Sequence, residues 1–409
     1  MWRGKLAATG FNLRHRQRME RLDTIPILDS LQSELASLEA RQQLRRLGRM
    51  EGVNLCSNDY LGLSVDPRLS EAVAAALRAG APVASTGSRL LSGNAAAWEE
   101  LESQFARFIG TEAALYFSSG YAANLGLLGA ILQPDDVVFS DQSNHASLID
   151  GIRLSRARKV IFPHLDLDFL QDALRQNSGA AGRKFIVVEG LFSMEGDRAP
   201  LAGLLSLAGR FGAELIVDEA HATGVFGPAG RGLVAAAGGN SQVLASVHTC
   251  GKALASAGAF VCGSETLKQY LVNRARTFIF STALPPYFAA QVGKAVEIVA
   301  KADAERRQLE GLSGFLRARL QQAGFNIGRS DSQIVPVLLG SDDAAVHYAN
   351  ELCNRGFAVR PIRPPTVPEG TSRLRLSVTA RLSEEVLESL VKALADASVL
   401  VDRAKERMA

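Results

Sequence analysis

The stretch KFIVVEGLFSMEGDRAPLAGLLSLAGRFGAELIVDEAHATG, residues 184–224, decides the fold class. Two short apolar runs, 184–189 and 214–218, flank LAGLLSLAGRFG, whose leucines recur at helical spacing. Runs too short for helices and apolar on both faces are strands of a parallel sheet, joined by a helical crossover. The same alternation extends outward. AALYFSS (113–119), DVVFSD (136–141) and KVIFP (159–163) read as further strands, with GYAANLGLLGAIL, HASLIDGIRLSR and FLQDALRQ as the intervening helices. The prediction is an α/β protein with a large, mostly parallel sheet and helices on both faces.

Outside that block the pattern changes. Residues 26–50 read as one helix, followed by a short strand and turn in VNLCSNDYLGLS (53–64). Residues 282–324 read as one long helix beginning at Pro285-Pro286. Beyond it SQIVPVLLG, FAVRPIRPPT and RLRLSVTA look like strands of a smaller sheet, with helices over 343–356 and 383–405 covering one face. The predicted division is a basic, disordered extension (1–25), a helix and arm (26–60), a large domain (61–284) and a small C-terminal α+β domain (285–409).

Composition narrows the function. With 409 residues, 47% hydrophobic and 21% charged, the chain has the make-up of a globular α/β protein. A net charge of +3 lacks the basic excess of a nucleic-acid binder. Arg3, Lys5, Arg14, Arg16, Arg18 and Arg21 load the first residues, which read as an extension ahead of Met19. No apolar run of membrane-spanning length occurs. Cys56, Cys250, Cys262 and Cys353 are scattered without metal-ligand spacing, so no metal is expected and a reducing cytoplasm fits.

Ligands on open parallel sheets bind beyond the carboxyl ends of the strands. Ser119-Gly120-Tyr121, His145, Ser193, Asp218 and Lys252 all fall at such ends. A lysine in the small-residue stretch SVHTCGKALASAGAFVCGS (246–264), after a buried strand ending in Asp218 with His221 three residues on, suits pyridoxal 5′-phosphate (PLP). An amine can hold the aldehyde, a carboxylate can keep the pyridine nitrogen protonated, and an imidazole can stack on or donate to the ring. The glycine turn of SSGYAAN opens a helix whose free N–H groups favour a phosphate. No GxGxxG follows an early strand, so a dinucleotide site is disfavoured.

Taken together, SNDYLGL (57–63), TGSRLLSGN (86–94), SSGYAAN (118–124), NHASLIDG (144–151), VVEGLFSMEGD (187–197), VDEAHATGVFGPAGRG (217–232), GKAL…GAFVCG (251–263), FSTALPP (280–286) and RLRLSVTA (373–380) resemble the α-oxoamine synthase family of fold-type I PLP-dependent transferases. The resemblance runs from about residue 26 almost to the C-terminus. IRPPTVPEGTSRLRLS (362–377) is most similar to members that join L-alanine to a pimeloyl thioester, on CoA or a carrier protein, in biotin synthesis. The resemblance implies Lys252 as the Schiff-base lysine and proton carrier, Asp218 on the ring nitrogen and His145 stacked on the ring. His221 and Ser193 would bond the phenolic oxygen. Gly120, Tyr121 and Thr249 would hold the phosphate, with Ser281 and Thr282 reaching the phosphate of the other subunit of a homodimer. Arg363 would clamp the amino-acid carboxylate, with Thr366 and Arg45 facing substrate. Three departures stand out: Phe280 where relatives carry Tyr, Ala255-Ser256 in place of a glycine-containing step, and the basic extension. Other members of the family, using glycine or serine with other acyl groups, are the nearest alternatives. An ordinary aminotransferase would need an anchor for a side-chain carboxylate, and a PLP-binding regulator a separate DNA-binding domain.

Overall fold

The computed structural model describes residues 26–408. Its centre is a seven-stranded sheet formed by β2 (Ala113–Phe117), β3 (Val137–Asp141), β4 (Arg158–Phe162), β5 (Lys184–Glu189), β6 (Ala213–Asp218), β7 (Ala245–Thr249) and β8 (Ala259–Gly263), in the order β2-β8-β7-β6-β5-β3-β4. β3 to β7 pair in parallel, and β8 runs antiparallel to both β2 and β7. Side chains alternate across a strand, so adjacent residues serve opposite faces. Val138, Phe185, Val187 and Ile216 pack under helices carrying Leu127, Leu128, Leu148 and Ile152. Phe139, Ile186, Val188, Leu215 and Val217 pack under Leu170, Leu174, Leu204 and Leu207. Burial on both faces explains the unbroken apolar runs of the sequence.

A second, antiparallel sheet has the order β11-β12-β9, from β9 (Ile334–Gly340), β11 (Pro361–Ile362) and β12 (Ser372–Ser377). Helix Asp342–Asn354 packs on it, and helix Glu384–Met408 packs against that helix. The segment read as one strand over 357–366 divides. β10 (Phe357–Ala358) pairs in parallel with β1 (Val53–Asn54), while β11 joins β12. That small pairing docks the N-terminal arm: Ser377 N–H donates to Leu55 O at 2.8 Å and Ala380 N–H to Tyr60 O at 2.8 Å. Asn58 and Tyr60 are thereby carried from the start of the chain to the centre of the molecule. One hydrophobic cluster runs from Leu55 through Trp98, Phe260 and Val296 to Leu394, across the position of Pro285.

Two helix readings are corrected. The helix from Pro26 ends at Ala40, not at residue 50. Gln42 turns left-handed (φ 56°) and Gln43 N–H bonds back to Leu38 O at 2.7 Å, a C-terminal stop made without glycine. The long helix divides into Tyr287–Val299 and Asp303–Gln322, and Arg306 Nη1 takes the freed Val299 carbonyl at 2.7 Å. The proposed extension before residue 26 lies outside the described residues. Among those described, no helix is long and apolar enough to cross a membrane.

Candidate active site

A cavity of about 290 Å³ opens at the carboxyl ends of β5, β6 and β7, lined by Glu189, Asp218, His221, Thr249 and Lys252 together with His145, Gly120 and Tyr121. A larger open groove of about 860 Å³, between helices Pro67–Arg78 and Tyr287–Val299, is lined mainly by alanine and glycine and contains none of these residues.

Lys252 follows β7. Its Nζ lies 2.8 Å from His221 Nε2, and His221 Nδ1 lies 2.6 Å from the Tyr60 hydroxyl. Tyr60 donates to Asn58 Oδ1 at 3.1 Å, and Arg375 Nη1 donates to the same oxygen at 3.1 Å. With Lys252 donating to Nε2, the His221 proton sits on Nδ1 and goes to Tyr60 Oη, so the chain of bonds has one direction. Burial, then the positive charges of Lys252 and Arg375, hold His221 well below the ordinary imidazole range. Burial lowers Lys252 to about 8 against the opposing pull of Asp218 and Glu189. A lysine so depressed supplies free amine near neutral pH.

Asp218, at the end of β6, is buried and held by two donors: Asn124 Nδ2 at 2.7 Å and Ala220 N–H at 2.9 Å. Asn124 sits one turn into helix Gly120–Ile131 and also donates to Ser147 Oγ at 2.9 Å. His145 caps helix Ala146–Ser155, its Nδ1 accepting the Ser147 N–H at 3.2 Å. That leaves Nε2 as the protonated nitrogen of a ring that burial keeps neutral. Ser119 caps the other helix through Ala122 N–H at 3.1 Å, so the first amides of Gly120–Ile131 point outward unpaired. Gly120 has to be glycine, because a Cβ there would stand 2.4 Å from Thr249 Cγ2.

Not every expected residue lines this cavity. Ser193 lies behind it, donating its N–H to Glu189 Oε2 at 3.2 Å and accepting Arg375 Nε on its carbonyl. Ser281 and Thr282, which the resemblance assigns to the phosphate of the other subunit, border a separate small cavity with Arg89 and Trp98. Arg363 is tied to the Gln42 carbonyl, and Arg45 donates to Thr366 Oγ1 at 2.9 Å, in an exposed cluster apart from the Lys252 cavity. Conversely, Asn58, Asn124, Ser147, Glu189 and Arg375 reach the site or its immediate bonds without having been singled out. All five lie inside the quoted motifs, but polar residues beside turns and strand ends gave no chemical signal of their own.

A family model described as aminotransferase class I and II matches residues 50–394. The chain belongs to that family. Within these aminotransferases, the 8-amino-7-oxononanoate synthase of Geobacter sulfurreducens is 46% identical over 348 residues, 84% of this chain and 88% of the relative. That of Anaeromyxobacter dehalogenans is 45% identical over 382 residues, covering 90% and 95%. Among solved structures, Sphingomonas wittichii serine palmitoyltransferase superposes with a TM-score of 0.82 at 30% identity, over 92% of this chain and 97% of that one. The 8-amino-7-oxononanoate synthase of Francisella tularensis superposes at 0.74 and 28% identity, covering 86% and 99%. This class I and II aminotransferase relative is a fold-type I, PLP-dependent acyltransferase of the 8-amino-7-oxononanoate synthase group.

The cavity fits PLP. It offers one depressed amine, one doubly hydrogen-bonded carboxylate, two imidazoles kept neutral by burial and a helix N-terminus clear of side chain at Gly120. Two buried oxygens in its lining, Asn124 Oδ1 and Glu189 Oε1, have no partner within the described residues.

Proposed function

We propose that the protein condenses L-alanine with a pimeloyl thioester, carried by CoA or a carrier protein, in biotin synthesis. A C–C bond forms between alanine Cα and the thioester carbonyl, the thiol leaves, and the alanine carboxylate departs as CO2, giving 8-amino-7-oxononanoate. The observation that carries this reading is identity of 45% over 90% of the chain to one named synthase and of 46% over 84% to another.

PLP, when bound, supplies an electron sink that stabilises negative charge on the substrate Cα. Lys252 would anchor it and, as a free amine, would move the Cα proton. Asp218, fixed by its two donors, would hold a proton on the pyridine nitrogen. His145 would stack on the ring. His221, with Ser193 behind it, would serve the phenolic oxygen side, and Gly120, Tyr121 and Thr249 would receive the phosphate. Two arginine groups are candidates for carboxylates. Arg375 is buried, stands one bond from Asn58 of the cavity, and has no partner for Nη2 among the described residues. Its geometry favours the alanine carboxylate. Arg363, with Arg45 and Thr366, takes the outer part of the substrate. In a homodimer, Ser281 and Thr282 reach the partner's phosphate. A cytoplasmic location suits four free cysteines.

The test is turnover of purified enzyme and PLP with a panel of amino acids and acyl thioesters, the products read by mass spectrometry. L-Alanine with pimeloyl thioester is expected to give the highest kcat/KM. Faster reaction of glycine with acetyl-CoA, or of serine with palmitoyl-CoA, would replace this reading with another member of the family.

A further inference from the structure

His164 lies in the turn after β4, outside the cavity and outside every motif that carries the site. Its Nδ1 is 2.9 Å from Asp141 Oδ1, at the end of β3, and its Nε2 is 3.1 Å from both carboxylate oxygens of Asp197. Both carboxylates are buried, and the ring lies edge-on to Phe192, with centroids 4.4 Å apart and planes at 85°. Asp141 is further committed to the N–H groups of Ser143 (2.8 Å) and Leu165 (2.9 Å). Asp197 instead turns both of its oxygens to the imidazole. An imidazole with a carboxylate at each nitrogen is a double donor, which requires the cation.

Asp197 closes the loop 190–198. Phe192 N–H bonds Asp197 O at 3.0 Å and Gly196 N–H bonds Phe192 O at 2.9 Å. The same loop carries Ser193, whose N–H holds Glu189 and whose carbonyl holds Arg375. Glu195 pairs with Arg373 at 3.2 Å, and Ser332 Oγ donates to Gly196 O at 2.6 Å. The loop is therefore fixed to the smaller sheet on one side and, through His164, to the central sheet on the other.

We propose that His164 is a positioning residue, latching loop 190–198 to the end of β3 so that Ser193 keeps Arg375 and Glu189 in place for the alanine carboxylate. The latch rests on the reading of Arg375 as the group that binds that carboxylate. The charged groups facing His164 are Asp141 on β3 and Asp197 and Glu195 on the loop. Against the desolvation that lowers it, the two carboxylates raise His164 to about 9. A cation stabilised in this way contributes fully below the unfolded imidazole value of 6.5. The contribution fades as pH rises towards 9.

The experiment uses His164→Gln, which keeps a single amide donor, and Asp197→Asn, which keeps the shape of the partner. Alanine affinity is read from the alanine-dependent visible spectrum of the PLP-loaded enzyme, KM and kcat from turnover, and stability from urea midpoints of apoprotein between pH 6 and 10. Each variant is expected to weaken alanine binding about tenfold while kcat changes far less. The double variant should be no worse than His164→Gln alone, because that substitution already removes the contact that Asp197→Asn breaks. The fall of the urea midpoint with pH should be shallower in His164→Gln than in wild type. Unchanged alanine affinity in both variants, or effects that add, would overturn the latch. If wild-type enzyme instead makes no amino ketone from alanine and pimeloyl thioester, the proposed reaction fails. The alanine titration would still decide the role of His164. If His164→Gln fails to fold, Asp197→Asn alone carries the same reading through its alanine affinity.

Discussion

Glu189 and Asp218 stand side by side at the carboxyl ends of neighbouring parallel strands, paired in register across β5 and β6. Asp218 is satisfied by Asn124 and Ala220, whereas Glu189 has one oxygen on Ser193 N–H and the other without a partner among the described residues. Burial first, and then repulsion from Asp218, push Glu189 up to about 8, with Lys252 pulling the other way. At neutral pH Glu189 is therefore held largely as the carboxylic acid.

A buried acid whose folded pKa is raised costs stability as pH climbs from its unfolded value of 4.5 to its folded value of about 8. Glu189→Gln mimics the protonated form and removes that loss. The apoprotein variant should match wild type below pH 5 and exceed it above pH 8, the gap widening by at most roughly 1.4 kcal/mol for each pH unit crossed between those limits. Urea denaturation across pH 4.5–8.5 measures the difference, and parallel curves would show that Glu189 ionises normally.

Lys252→Ala should fold, since among the described residues the side chain makes a single hydrogen bond, to His221. Borohydride treatment of wild-type holoenzyme should fix the cofactor on the peptide containing Lys252, and nothing should be fixed in the variant. Turnover should fall by at least about 10⁴-fold. Cofactor fixed to a different peptide would misplace the anchor.

Asp218→Asn and Asn124→Ala act on one carboxylate at different strengths. The first removes the charge and should reduce kcat by about 10³-fold with PLP still bound. The second removes one donor of two, at about 1 kcal/mol, and should reduce kcat only severalfold. Equal losses would mean that Asn124 is doing more than orienting Asp218.

Arg375→Lys should weaken alanine binding by tenfold or more, because an ammonium cannot reproduce a fork that bonds Ser193 O, Asn58 and Ser377 at once. Arg363→Lys should weaken it less, since that side chain is tied to Gln42 O outside the cavity lining. Spectral titration with L-alanine separates the two, and the reverse order would return the carboxylate to Arg363.

Consecutive residues were enough to specify the parallel sheet, the strand ends that carry Asp218 and Lys252, and the helix that opens at Gly120. These are local matters: an apolar run buried on both faces, or a glycine turn before a helix, is written in neighbouring positions. Which polar residues meet was settled only by the closed fold. Asn58 and Tyr60 reach Lys252 because β1 pairs with β10 some 300 residues later (Val53↔Phe357). Arg375 arrives on a different sheet, and Glu189 becomes an acid only when the fold buries it and β5 sets it beside Asp218. Arg363, which the family resemblance sets at the amino-acid carboxylate, is tied to Gln42 O outside the lining of this cavity. Nothing in short-range pattern encodes such pairings, because the burial and repulsion that give these groups their chemistry exist only after the chain has closed around them.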